Sequence, residues 1–312
     1  MSKPESGSVK KATEQEKLQA FQHYEAFIFD LDGTIWKGSS LVPGAKEFVE
    51  LLRAYQKKVF FVTNNATKSR AANAAKLAAM GIPASQADVY TSSFAAAAYL
   101  KTTSFSKKAY VIGEEGLVEE LTAAGVSCFG GPEHRGKDVD WSQPDPHLEV
   151  DPEVGAVVVG LDRYINYYKL QYATTCLANS SCMFVACNTD ARGHFSNSDQ
   201  EWAGAGTMVA ALIGSSEREP MLLGKPASFI LDHLCATHQL ARDKCIVIGD
   251  RLDTDILWGT QNGMGTCCVL TGVTSEAHLA AEDNKVVPKL VLDSVGDFMT
   301  IKGQLPSSCT IM

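Results

Sequence analysis

The stretch "HYEAFIFDLDGTIWKG", residues 23–38, sets two aspartates one residue apart, directly after the apolar run AFIF and directly before a glycine. Four consecutive apolar residues of this kind read as a strand buried on both faces, as in a parallel sheet. If the chain stays extended beyond Phe29, Asp30 and Asp32 face the same side, and a bound cation relieves their repulsion. Taken alone, D-x-D-G is equally a turn with two solvated acids. A second stretch, "KCIVIGDRLDTDIL" at 244–257, makes the first reading the better one. It too delivers an acid, Asp250, from the end of an apolar run, with Asp253 and Asp255 just beyond.

Outward from these two stretches, strands and helices alternate. In "PGAKEFVELLRAYQ" (43–56), Ala45, Phe48, Val49, Leu52 and Tyr55 recur at helical spacing. "KKVFFVTNN" (57–65) reads as another buried strand, and "SRAANAAKLAAMG" (69–81) as a helix ending at Gly81. Such alternation at short spacing implies crossover connections and a parallel sheet, so the expected class is α/β. A Pro/Gly/acid-rich connection at 130–153 is too long for a loop within one compact unit. After it, "GAVVVGLD" (155–162), "NYYKLQYATTCLA" (166–178) and "CMFVAC" (182–187) resume the pattern. We expect a polar, disordered tail at 1–20, one α/β core assembled from 21–102 and 219–303, an inserted α/β module at 103–218, and a flexible tail at 304–312.

Composition narrows the function classes. Twenty-eight Lys and Arg against 36 Asp and Glu give a formal net charge of −8, which disfavours a surface for nucleic acid. Mean hydropathy is −0.05, and neither a signal-peptide core nor a bilayer-length apolar run occurs, so stable membrane insertion is not expected and the cytoplasm is the expected compartment. Nine cysteines without a C-x-x-C pair fit reduced thiols better than a zinc site.

Ligands in open parallel sheets sit beyond the carboxyl ends of the strands. There the sequence places Asp30 and Asp32; Thr63, Asn64 and Asn65; Lys225 in "LGKP"; and Asp250, Asp253 and Asp255. Hard oxygen donors, a hydroxyl, amides and an ammonium are an inventory for handling a phosphoryl group with a divalent metal.

The ordered set D-x-D-G-T, strand-terminal Thr, Lys and G-D-x-x-x-x-D resembles the haloacid dehalogenase superfamily of phosphohydrolases. "LDGTIWKG", "VPGA", "FVTNNATKSR", "GKP", "GDRLDTDIL" and "LTGV" look like its p-nitrophenyl phosphatase branch, which includes phosphoglycolate and pyridoxal phosphate phosphatases. The resemblance covers roughly residues 21–303. It implies a Rossmann-like parallel-sheet core carrying a C2-type cap, which belongs in the long interval between Thr63 and Lys225.

The resemblance further implies an aspartyl-phosphate mechanism. Asp30 would be the nucleophile and Asp32 the general acid and base. Mg²⁺ would be held by Asp30, the Asp32 main-chain carbonyl and Asp250. Thr63, Asn64, Asn65 and Lys225 would bind phosphate, with Asp255, and after it Asp253, orienting Lys225 or metal-bound water. In the cap, Arg192 and His194 are candidates for substrate contact within "NTDARGH", and Asp162 and Arg163 for either core contact or cap folding.

The expected substrate is a small phosphorylated metabolite, phosphoglycolate ahead of pyridoxal phosphate, with nucleotide or phosphoprotein phosphatase and a non-catalytic phosphate-binding module as alternatives. Relatives of this kind dimerise through the cap, so a homodimer is expected from the resemblance. The ending "CTIM" fits a prenylation signal at Cys309, which by itself would give only a weak, reversible membrane anchor.

Overall fold

The computed structural model describes residues 9–193 and 200–306. The chain divides into two compact units: 1–62, 77–84 and 231–312 form the first, and 63–76 with 85–230 the second.

In the first unit the strands Leu290–Leu292, Gly265–Val269, Cys245–Gly249, Ala26–Phe29 and Lys58–Thr63 pair side by side in that order, every pairing parallel. The AFIF and CIVIG runs are buried at every position, as expected of strands covered on both faces. Phe29 stands opposite Ile248, and the Asp30 N–H donates to the Ile248 carbonyl at 2.9 Å. This register brings the chain after Phe29 and the chain after Gly249 out at the same edge. On one face the Phe48 ring of helix Ala45–Ala54 stacks on Phe298 at 4.4 Å between centroids and meets Phe27 and Phe29 edge-on.

The polar opening segment is not all tail. A helix spans Glu14–His23, closed by a capping box in which Glu16 N–H donates to Thr13 Oγ1 at 3.2 Å and Thr13 N–H to Glu16 Oε2 at 2.8 Å. Phe21 is buried edge-on against Tyr55, and Lys17 donates to the Asp297 carbonyl and Thr300 Oγ1. One capping box and one aromatic anchor order a segment whose composition alone argues for disorder.

The second unit holds a parallel sheet in the order Met221–Leu222, Met183–Ala186, Val154–Val159, Lys108–Ile112, Cys128–Gly130. Helices Tyr167–Leu177 and Ala205–Ser216 contribute Tyr172, Ala173, Met208 and Leu212 to its core. Its limits, 63–76 with 85–230, differ from the expected 103–218. Glu120, buried, accepts from the Arg70 backbone N–H at 2.6 Å and pairs with its guanidinium at 3.1 Å. Asp162 and Arg163 act in folding this unit. Asp162 pairs with Lys169 at 2.6 Å, both side chains almost wholly buried, and Arg163 forks onto Glu114.

Among the described residues no helix is long and apolar enough to cross a membrane. The Asp162–Lys169 pair yields a prediction. Lys169→Met leaves a buried carboxylate without its cation and lowers stability by about 3–5 kcal/mol, read as a lower urea midpoint. Lys169→Met with Asp162→Leu recovers much of that loss.

Candidate active site

Three carboxylates meet at the edge where the first unit's strands end. Asp30, Asp250 and Asp255, all buried, each offer an oxygen within 4.8 Å of the others. Asp30 and Asp250 arrive directly from neighbouring strands. Asp255 arrives differently: a π-helical turn at Leu252–Ile256 brings it back over the strand it follows, where its Oδ2 accepts the Arg251 N–H at 3.2 Å. Expected to orient Lys225 or metal-bound water, it has its carboxylate grouped with those of Asp30 and Asp250. Asp253 points the other way, exposed and paired with the Arg251 guanidinium at 2.8 Å. The spacing G-D-x-x-x-x-D contains the signal for Asp255; nothing in it announces the widened turn.

The Asp250 carboxylate has a tight seat. Its Oδ2 accepts the Val273 N–H at 2.7 Å. A Cβ added at Gly33 would lie 2.5 Å from that oxygen, and one added at Gly272 would overlap the same carboxylate. Gly33 also sits at φ +86°, a left-handed conformation that L side chains rarely adopt. The glycine of D-L-D-G-T therefore serves both the turn and the close approach of an acid more than 200 residues away.

Asp32 is half-buried and separate from the three acids. Its Oδ1 accepts the Trp36 indole N–H at 2.7 Å. The loop around it is knitted by Gly33 N–H to the Trp36 carbonyl at 2.7 Å and by Thr271 Oγ1 to the Gly33 carbonyl at 2.5 Å.

In the second unit Thr63, Asn64 and Lys225 are buried and Asn65 is half-buried. The Asn64 side chain clamps the Lys225 backbone from both ends: its Oδ1 accepts the Lys225 N–H at 2.8 Å and its Nδ2 donates to the Lys225 carbonyl at 3.0 Å. Nδ2 also donates to Asp190 Oδ1 at 3.1 Å, and the Asn64 carbonyl accepts from Asn188 Nδ2 and Ser92 Oγ. With its amide engaged in this way, the Asn64 side chain holds the Lys225 backbone in place. Thr63 Oγ1 accepts the Asn65 N–H at 3.0 Å, and Asn65 Oδ1 accepts from Thr67.

Arg192 pairs with Glu201 at 2.8 Å across a two-residue hairpin, Arg192–Gly193 against Trp202–Ala203. His194 and Cys309 lie outside the described residues.

Cysteine chemistry is disfavoured beside these groups. Burial, with the Asp250 carboxylate adding to it, pushes the Cys268 thiol up to about 12, and burial alone does the same to Cys187. Neither is a thiolate at neutral pH. What the acids can do is hold a hard divalent cation. Three converging buried carboxylate oxygens are the donor set such an ion prefers, and no soft ligand stands among them.

The model of the haloacid dehalogenase-like hydrolase family matches residues 27–127, and a second, HAD-hydrolase-like model matches 222–298. The chain belongs to the haloacid dehalogenase-like hydrolases. It is 46% identical over 287 residues to phosphoglycolate phosphatase 1A, chloroplastic, of Arabidopsis thaliana, covering 91% of this chain and 79% of that one. It is 36% identical over 293 residues to the human glycerol-3-phosphate phosphatase, covering 88% and 90%. Among solved structures, the p-nitrophenyl phosphatase of Archaeoglobus fulgidus superposes with a TM-score of 0.75 at 29% identity, over 89% of this chain and 98% of that one. With these relatives, the hydrolase is a phosphoric monoester hydrolase of the α/β, parallel-sheet class.

The Asn64 clamp carries the second prediction. Asn64→Ala removes the acceptor of the buried Lys225 N–H and the donor to its carbonyl, and is expected to cost about 2 kcal/mol or more. Chemical denaturation of wild type and variant measures it.

Proposed function

We propose that this hydrolase is a Mg²⁺-dependent phosphomonoesterase of small phosphorylated metabolites, with 2-phosphoglycolate as its leading substrate. The observation that carries the chemistry is the convergence of Asp30, Asp250 and Asp255 beside a separately held Asp32. The likeness to phosphoglycolate phosphatases supports the substrate.

The chain's own groups take the following roles. An Asp30 oxygen attacks phosphorus, forming an aspartyl-phosphate O–P bond as the ester O–P bond breaks. Asp32, entering as the neutral acid, gives its proton to the departing oxygen. Now a carboxylate, it takes a proton from the water that attacks the aspartyl-phosphate, releasing phosphate and restoring Asp30. Asp30 and Asp250, with the Asp32 carbonyl and Asp255 beside them, would hold Mg²⁺, which supplies charge neutralisation for the phosphoryl oxygens. Thr63, the main-chain N–H groups of Asn64 and Asn65, and the Lys225 ammonium bind those oxygens in this reading.

Asp30→Asn is expected to lower turnover at least 1,000-fold, on the order of what loss of a covalent nucleophile does elsewhere. Activity within about tenfold of wild type would sink the nucleophile assignment. Asp250→Asn is expected to abolish the rise in melting temperature that Mg²⁺ gives to wild type, since a ligand of the folded state stabilises it by mass action. For the substrate, kcat/KM over a panel of phosphorylated metabolites decides. A maximum at pyridoxal phosphate, a nucleotide or a phosphopeptide would replace 2-phosphoglycolate, and glycerol 3-phosphate would do so within the same small-metabolite class.

A further inference from the structure

Trp36 is a buried aromatic residue four positions beyond Asp32, among the largest side chains in the core. It is 1% exposed. It opens a two-residue strand, Trp36–Lys37, that turns back against Ser40–Leu41. The chain therefore reverses within a few residues of the acids, and the reversal aims the indole N–H back at Asp32 Oδ1, at 2.7 Å. The same residue grips the loop a second time through its carbonyl, which accepts the Gly33 N–H at 2.7 Å. Side chain and main chain of one residue thus hold both the carboxylate of Asp32 and the peptide that follows it.

A buried indole N–H usually finds an acceptor, so the bond needs weighing against ordinary satisfaction of a polar group. The comparison lies within the same unit. Trp258, fully buried in helix Leu257–Gln261, has no hydrogen-bond partner for its Nε1 among the described residues. This fold tolerates an unsatisfied indole in one place and aims the other at a half-buried aspartate.

The chemistry of the donor adds a constraint. An indole N–H only donates. The oxygen it touches must accept in both protonation states of the acid, so when Asp32 is neutral its proton resides on Oδ2. The bond fixes the rotation of the carboxyl about its last torsion, a broad and weakly restrained one in the absence of such a contact. It also assigns one oxygen to the indole and the other to proton transfer.

We propose that Trp36 is a positioning residue for acid catalysis: its indole holds Asp32 so that Oδ2 delivers the proton to the leaving oxygen. This rests on the acid role assigned above to Asp32. The effect belongs to leaving-group departure, so its size depends on how much the departing oxygen needs a proton. An alkoxide from 2-phosphoglycolate or glycerol 3-phosphate needs it; p-nitrophenolate needs it little.

The test is therefore a ratio. For wild type, Trp36→Phe, Trp258→Phe and Asp32→Asn, kcat/KM is measured with p-nitrophenyl phosphate and with whichever alkyl phosphate wild type hydrolyses best. This constant reports events only up to formation of the aspartyl-phosphate, so the later water step does not enter. Trp36→Phe is expected to lose roughly 10- to 100-fold on the alkyl ester, the scale of one hydrogen bond to a charged group, and less than about threefold on the aryl ester. Asp32→Asn shows the same discrimination more strongly, and Trp258→Phe, which removes an indole with no partner, leaves the ratio at the wild-type value.

Equal losses on both esters in Trp36→Phe, or no loss, overturn the role of Trp36 while discrimination in Asp32→Asn stands. Absence of discrimination in Asp32→Asn overturns the acid assignment, and the Trp36 proposal with it. If phenylalanine at 36 does not fold, benzothienylalanine placed there keeps the bicyclic outline, replaces N–H by sulfur and gives the same readout.

Discussion

Three carboxylates buried within 4.8 Å of one another are the constraint on which the first unit turns. At an effective dielectric of about 20, each pair of charges at that distance opposes folding by roughly 3 kcal/mol, before any penalty for removing the groups from water. A protein with a typical stability of about 5–15 kcal/mol does not carry three such repulsions without a counterion or a proton. The surrounding geometry brings the acids closer together. Parallel register delivers Asp30 and Asp250 from adjacent strands, a widened turn returns Asp255 to them, and two glycines clear the space that Asp250 fills. A site that gathers negative charge in this way could hold a cation.

The second unit handles buried charge by the opposite means. Asp162 has Lys169, Glu120 has Arg70 and Glu114 has Arg163, each acid with a basic partner from its own unit. These acids are neutralised within the fold and fix elements to one another. In the first unit, by contrast, three acids converge so that each offers an oxygen to a common point.

Much of this was legible in the sequence, for identifiable reasons. Strands such as AFIF and CIVIG are buried on both faces and read as unbroken apolar runs, so their ends, and with them Asp30 and Asp250, could be located. Asp255 was visible only as a motif position, since its place depends on a π-helical turn that has no local composition signal. The helix at Glu14–His23 was hidden by a polar composition, although its T-x-x-E capping box stands in the chain at Thr13 and Glu16. The tie of Arg70 to Glu120 was not legible in the sequence, because only the folded chain brings such pairs together. Likewise the clamp of Asn64 on Lys225 joins positions 161 residues apart.

The two aspartates of D-L-D-G-T end in unlike settings although one residue separates them. Asp30 is buried among acids, where an added proton or a cation relieves repulsion. Asp32 is half-buried and meets a neutral donor, which stabilises a carboxylate without cancelling its charge. A group meant to gain and lose a proton each cycle cannot sit beside a fixed cation that would hold it ionised, nor among like charges that would hold it neutral. Gly33 helps make the separation possible: its left-handed turn directly after Asp32 lets the chain fold back so that Trp36 becomes a partner of the second acid.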